Sequence, residues 1–277
     1  MIQDTSAQMK KSPFKFIALV YILSIPFWVI GALTESEDTA AKPNIPVSAL
    51  MAVCPVIAAL IFTFREEGSG GAKRLLARIL DYKRIDRKIW YLPIFLLMPM
   101  VAILAYAVMR IAGLLLPRNI YLPLKILPIF FVVFFAGATG EELGWSGYAI
   151  SPMQDRLGAL NASLVLGTAW AVWHVIPYFQ SHHGVAWVAW QCLATVGLRV
   201  LIVWIFNNTS RSVCATIIFH AMINVCDFMF PNYGSGYNPD VFAIIIGIIA
   251  TAVVILWGPA TLARYRFSEC LGTPGLG

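Results

Sequence analysis

Long apolar runs separated by short polar breaks make up nearly all of this chain. Eight of the runs, near 14–33, 47–64, 90–115, 124–150, 163–179, 185–206, 212–230 and 241–260, are long enough to cross a bilayer as helices, for which about 17 to 25 residues suffice. The pattern predicts an all-α, polytopic membrane protein of about eight transmembrane helices. No stretch between the runs is long enough to build a separate soluble core, so residues 1–277 are read as one membrane-embedded domain. The first run follows Lys10, Lys11 and Lys15, as a signal peptide would, but Phe16–Leu33 is long and lacks an Ala-x-Ala exit. An uncleaved first span is expected. There is no internal repeat and no low-complexity segment.

Composition narrows the class further. Hydrophobic residues are 59% and charged residues 12% of the chain, with a mean hydropathy of +0.76, values of multi-span membrane proteins and not of soluble domains. The net charge of +6 suggests a nucleic-acid partner until the basic residues are placed. Loop 65–89 alone carries Arg65, Lys73, Arg74, Arg78, Lys83, Arg84, Arg87 and Lys88, whereas the loop before it carries Glu35, Glu37 and Asp38. With the basic loop inside, both termini are cytoplasmic, and fifteen Lys and Arg residues fall on that side against Lys42, Arg118 and Lys125 outside. The partner of the charge is therefore the membrane surface and its lipids, not nucleic acid, and the expected location is a bacterial cell membrane, as an integral multi-pass protein. Gly68-Ser69-Gly70-Gly71 breaks the loop, leaving Lys73–Ile85 either as a basic interfacial helix or as a solvated connection. Cys54, Cys192, Cys214, Cys226 and Cys270 form no C-x-x-C pair and are expected as free thiols.

Candidate chemistry stands out because it lies where polar groups are expensive. Glu141 and Glu142 end the run that begins Leu127-Pro128-Ile129-Phe130, where an ionised side chain costs about 2.5 to 3.5 kcal/mol on insertion scales. Neighbours on a helix point about 100° apart, so one glutamate is expected to do chemistry and the other to support it. His174 lies within the fifth run, and His220 and Asn224, four apart in the seventh, share a helical face. At about 1.5 Å per residue, Glu141 is roughly 13 Å from an exit near Ile150, His174 roughly 16 Å past Ser163 and His220 roughly 12 Å past Ser212. Similar depth from one side predicts a shared site, open to the cytoplasmic half.

Three motifs, Glu141-Glu142-x-x-x-Ser146, the aromatic-x-x-x-His of Trp170 to His174, and His220-x-x-x-Asn224, resemble those of the CPBP intramembrane glutamic proteases, which include the type II CAAX prenyl endopeptidases and bacteriocin-processing proteins. The resemblance covers a core of about 125–230. It implies an eight-helix membrane fold, hydrolysis of a peptide bond in a peptide or lipidated protein substrate, no cofactor, water activation by Glu141 and His174, and an oxyanion site of His220 and Asn224. One position departs from the family pattern: where an Arg usually ends the first motif, this chain has Ser146. Glu142 thereby loses its usual counter-ion, and protonation of Glu142 or an ion pair with Arg199, deep in the sixth run, is expected to compensate.

A carboxylate and two imidazoles are also a zinc-ligand set, so a membrane metalloprotease is the nearest rival mechanism, although no His-Glu-x-x-His is present. A catalytically silent relative that binds a peptide as an immunity or scaffold protein, and a transporter with Glu141 and His174 as proton relay, are the other readings. His182-His183 are read as a solvated loop, Asp227 as interfacial, Gly144 and Gly147 as helix-packing positions, and Trp145, Trp170, Trp173, Trp187, Trp190 and Trp204 as packing and interface anchors.

Overall fold

In lipid every backbone N–H and C=O must bond within its own segment, so apolar runs of this length fold as helices. The computed structural model describes residues 12–34, 47–117, 121–122, 124–234 and 236–263. Lys10, Lys11, Glu35, Glu37, Asp38, Lys42, Arg118, Arg264, Arg266 and Cys270 lie outside the described residues. Among those described there is no strand, seven helical runs are long and apolar enough to cross a membrane, and an eighth, Val213–Met229, is shorter. In order, α1 is Pro13–Thr34, α2 Cys54–Ala77, α3 Tyr91–Ile111, α4 Leu127–Gly144, α5 Ile150–Leu157, α6 Ala159–Gln180, α7 Val185–Asn208, α8 Val213–Met229 and α9 Pro239–Trp257. A π-helical turn, Trp145–Ala149, joins α4 to α5.

Helices α6, α7 and α8 and the C-terminal part of α4, from Ala138 onward, form the interior of the bundle. α7 packs on α6 and α9 and is the most enclosed of the seven long helical runs, while α8 packs on α3, α4 and α7. α1 is fastened to α6 at three levels: Tyr21 donates to the Ala169 carbonyl at 2.6 Å, the Trp173 indole to Ser24 Oγ at 2.7 Å, and Gln180 Nε2 to the Trp28 carbonyl at 2.7 Å. Such bonds hold helices together where no hydrophobic effect acts between them.

The four free cysteines among the described residues, Cys54, Cys192, Cys214 and Cys226, agree with the expected thiols. Two expectations are corrected. The second helix does not end near residue 64 but bends at Gly68, whose φ of 68° and ψ of −165° are open to glycine alone, and continues to Ala77. The Lys73–Ile85 stretch is not a free loop: it stays helical to Ala77, then turns and docks on the bundle. Arg78 donates to the carbonyls of Gly147 and Arg211, Arg84 to that of Ser210, and Asp81 accepts the backbone N–H groups of Val213 and Cys214. An anion at a helix N-terminus satisfies orphan donors and the helix dipole together, which is why the segment folds here. These contacts gather the start of α8, the π turn and the basic loop at one end of the bundle. The turn that follows α9 is there too, since Ala159 and Leu160 donate to the carbonyls of Ala260 and Pro259.

The fourth helical run also passes the expected exit near Ile150 and reaches Leu157. Pro152 is tolerated because it falls in the first turn after the π segment, where the regular i to i−4 ladder is already broken. Earlier in the same run, α4 lies against the start of α2 at two glycines. A Cβ at Gly140 would stand 2.5 Å from the Ala52 carbonyl oxygen, and one at Gly144 2.6 Å from the Pro55 carbonyl oxygen.

Because both obstacles are backbone atoms, they cannot rotate away. Gly140→Ala is expected to lower stability by about 1 to 3 kcal/mol, read as a fall in thermal midpoint in detergent. Gly137→Ala, one turn earlier with nothing within 4 Å of its Cβ position, serves as the control and is expected to leave the midpoint unchanged or raised. Equal behaviour of the two variants would refute the close approach.

Candidate active site

The two adjacent glutamates close α4 and, being about 100° apart on the helix, enter different surroundings. Glu142 is 0% exposed and is surrounded by donors. Arg199 Nη1 from α7 lies 3.0 Å from its Oε2, Ser146 Oγ from the π turn donates to the same oxygen, and His220 Nδ1 from α8 lies 3.0 Å from Oε1. The expected pair between Glu142 and Arg199 is therefore formed, and Ser146 adds its neutral hydrogen bond to the same carboxylate. An ionised carboxylate only accepts, so His220 Nδ1 carries the hydrogen of this bond and Nε2 is the nitrogen left open.

Glu141 is 6% exposed and receives one hydrogen bond, from Trp170 Nε1 to Oε2 at 2.7 Å. Trp170 is on α6, one turn before His174, and the His174 ring reaches back to it: Nδ1 lies 2.9 Å from the Trp170 carbonyl. A carbonyl also only accepts, so His174 Nδ1 is the protonated nitrogen and Nε2 is again open. The half-buried His174 ring packs edge-on to Trp173 at 4.8 Å, stacks on Tyr178 at 5.7 Å, and lies within electrostatic reach of Glu141. The Trp170 ring is also 5.1 Å from that of His220.

Asn224 follows His220 by one turn on the same face of α8 and is half-buried, with no hydrogen bond to its amide among the described residues. Asp227 continues that face by a further turn and is likewise half-buried. One contiguous group thus contains Glu141, Glu142, Ser146, Trp170, His174, Arg199 and His220, with Asn224 at its edge.

Trp170 is the member that reasoning from sequence missed, because it was counted among packing aromatics. Its signal was present: an indole N–H deep in an apolar helix needs an acceptor, and Glu141 was the carboxylate at matching depth. Trp173, Trp145 and Trp204 do pack in the core, and His183, in the turn after α6, stacks on Trp187 at 3.6 Å. Among the described residues no group of three or more His, Cys, Asp or Glu side chains is arranged to hold a metal ion.

The site is chemically asymmetric. Glu142 is saturated with donors, whereas Glu141 keeps an oxygen free beside an imidazole whose Nε2 is free. This combination suits proton transfer from water next to an amide donor.

Comparison with known proteins points the same way. Residues 123–226 match the family described as Rce1-like type II CAAX prenyl endopeptidase, and this segment holds every residue of the group. A protein of Methanococcus maripaludis described as CAAX prenyl protease 2 is 25% identical over 281 residues, covering 95% of this chain and 98% of that protein. The likeness is therefore not confined to the motif-bearing segment.

Removing one side of a fully buried ion pair leaves the other side uncompensated. Glu142→Leu, with Arg199 kept, is expected to cost about 3 to 5 kcal/mol. Thermal unfolding in detergent measures it, and an unchanged midpoint would mean that the pair is not sealed from water.

Proposed function

We propose, from the premise that this chain belongs to the Rce1-like type II CAAX prenyl endopeptidases and is a multi-pass membrane protease, that Glu141 and His174 activate water for hydrolysis of a peptide bond in a prenylated or otherwise membrane-held peptide. The observation that carries this reading is the difference between the two glutamates: Glu142 is bonded on both oxygens, and Glu141 is bonded on one, with His174 beside it.

In this reading Glu141 takes a proton from water while His174 Nε2 shares or relays it. The hydroxide adds to the scissile carbonyl carbon, and the carbonyl π electrons move to oxygen. The resulting oxyanion accepts hydrogen bonds from the Asn224 amide and from His220. For His220 the donor is Nε2, so the ring acts as an imidazolium with Nδ1–H on Glu142 and Nε2–H on the oxyanion. Collapse re-forms the carbonyl and breaks the C–N bond, and the leaving amine takes the proton held by the Glu141–His174 pair. A membrane-held substrate fits an interior group placed on α4, α6 and α8 within an integral membrane protein. The type of chain cleaved, a C-terminal Cys-a-a-X peptide, is taken from the family to which the protease belongs.

Cleavage of a prenylated Cys-a-a-X peptide by the purified protein tests the assignment. Glu141→Gln and His174→Ala are each expected to abolish turnover while the protein still inserts, with the thermal midpoint preserved in the near-isosteric Glu141→Gln. Near-wild-type turnover in either variant removes the mechanism. Asn224→Ala is expected to lower kcat by about 10²- to 10³-fold, and a change confined to KM would make it a binding residue instead.

Metal dependence separates the glutamate mechanism from its rival. Incubation with a strong chelator is expected to leave turnover unchanged. Loss of activity together with one zinc per chain, and recovery on adding zinc back, would move Glu141, His174 and His220 to ligand roles.

A further inference from the structure

Burying the Arg199 guanidinium is costly, and the protein does little to offset the cost. The side chain is 0% exposed, its Nη1 reaches Glu142 at 3.0 Å, and Nε and Nη2 have no partner among the described residues. A buried ion pair with unsatisfied donors is a poor source of stability compared with apolar packing. Its placement shows what else it does. Arg199 Cζ sits 4.2 Å from the centre of the Trp170 ring, and the N–H of that same indole is the one that bonds Glu141. The contact is built into the helix crossing: Gly167, one turn before Trp170, lets α7 so close that a Cβ there would be 3.0 Å from Arg199 Cβ and 3.2 Å from Val196 Cα.

We propose that Arg199 is a positioning residue for the water-activating carboxylate, holding Glu142 by its ion pair and clamping Trp170 by a cation–π contact so that the indole N–H fixes Glu141. One planar cation thereby orients both glutamates from a single point on α7, a task for which arginine is suited because it can stack and donate at once. Ser146 is small enough to add its bond to Glu142 without displacing the guanidinium, so the charge reaches Glu142 from α7 and not from α4's own continuation. This inference rests on Glu141 being the carboxylate that activates water.

The test uses the full chain, a prenylated Cys-a-a-X peptide and three variants, with kcat, KM and thermal midpoint measured for each. Trp170→Phe keeps a ring under Arg199 but removes the donor. It is expected to lower kcat about 10-fold or more, in line with loss of a hydrogen bond to a charged group, with KM and midpoint close to wild type. Ser146→Arg with Arg199→Leu gives Glu142 a new counter-ion but leaves Trp170 unclamped. Stability is expected to return while kcat stays depressed by about the same factor. Adding Trp170→Phe to that double variant is expected to cause no further loss, because both changes break one link.

Full kcat in Trp170→Phe overturns the proposal even if the double variant fails to fold. Full kcat in the double variant, or losses that multiply in the triple, also overturn it by showing that Arg199 does not act through the indole. Turnover surviving in Glu141→Gln would instead overturn the underlying mechanism, whereas an inactive Glu141→Gln beside a fully active Trp170→Phe defeats this inference alone.

Discussion

A carboxylate sealed from water at Glu142 sets the terms for the interior of this bundle. In a low-dielectric setting such a group persists as an anion only if a cation and hydrogen-bond donors surround it. The donors come from three places: Arg199 on α7, Ser146 in the π turn and His220 on α8. Sliding or rotating any of these elements would strand a charge. The ion pair therefore matters less as a source of stability than as a constraint on register, and His220 and Trp170 both lie against it, His220 on Glu142 and Trp170 under Arg199.

Close backbone approach makes that constraint geometrically possible. Gly140 and Gly144 seat α4 on the start of α2, and Gly167 seats α7 on α6. The π turn then widens the helix at Trp145–Ala149 and leaves the Gly147 carbonyl to be bonded by Arg78, 3.1 Å away. A wide turn of this kind recurs at functional sites. Here it carries Ser146 toward Glu142 and ties the end of the site to the basic loop. That loop in turn caps α8 through Asp81, so the helix bearing His220 and Asn224 is fixed from its N-terminus.

The consequence is that two glutamates one position apart sit in different surroundings. One is bonded on both oxygens and serves the structure. The other keeps an oxygen and an imidazole neighbour available. Both histidines present Nδ1 to an acceptor of the protein and leave Nε2 open, which orients two rings from two helices.

The sequence by itself determined the all-helical membrane class of the protein and roughly where its apolar helices lie, and it nominated most residues of the candidate site. Lipid imposes those features locally: run length decides whether a helix crosses, charge decides which loop stays inside, and i, i+4 spacing puts His220 beside Asn224 whatever the rest of the chain does. The cost of unpaired charge even pointed to Arg199 as partner of Glu142, because two expensive groups at depth have few ways to be satisfied. Only the tertiary structure decided which atoms meet across helices. No spacing in the sequence says that the Trp170 indole bonds Glu141, that Arg199 stacks on that indole, that Asp81 caps α8, or that α4 runs on through a π turn past Pro152. The cross-helix contacts among these depend on elements far apart in the chain being brought together, and such contacts leave no periodic trace in either element alone.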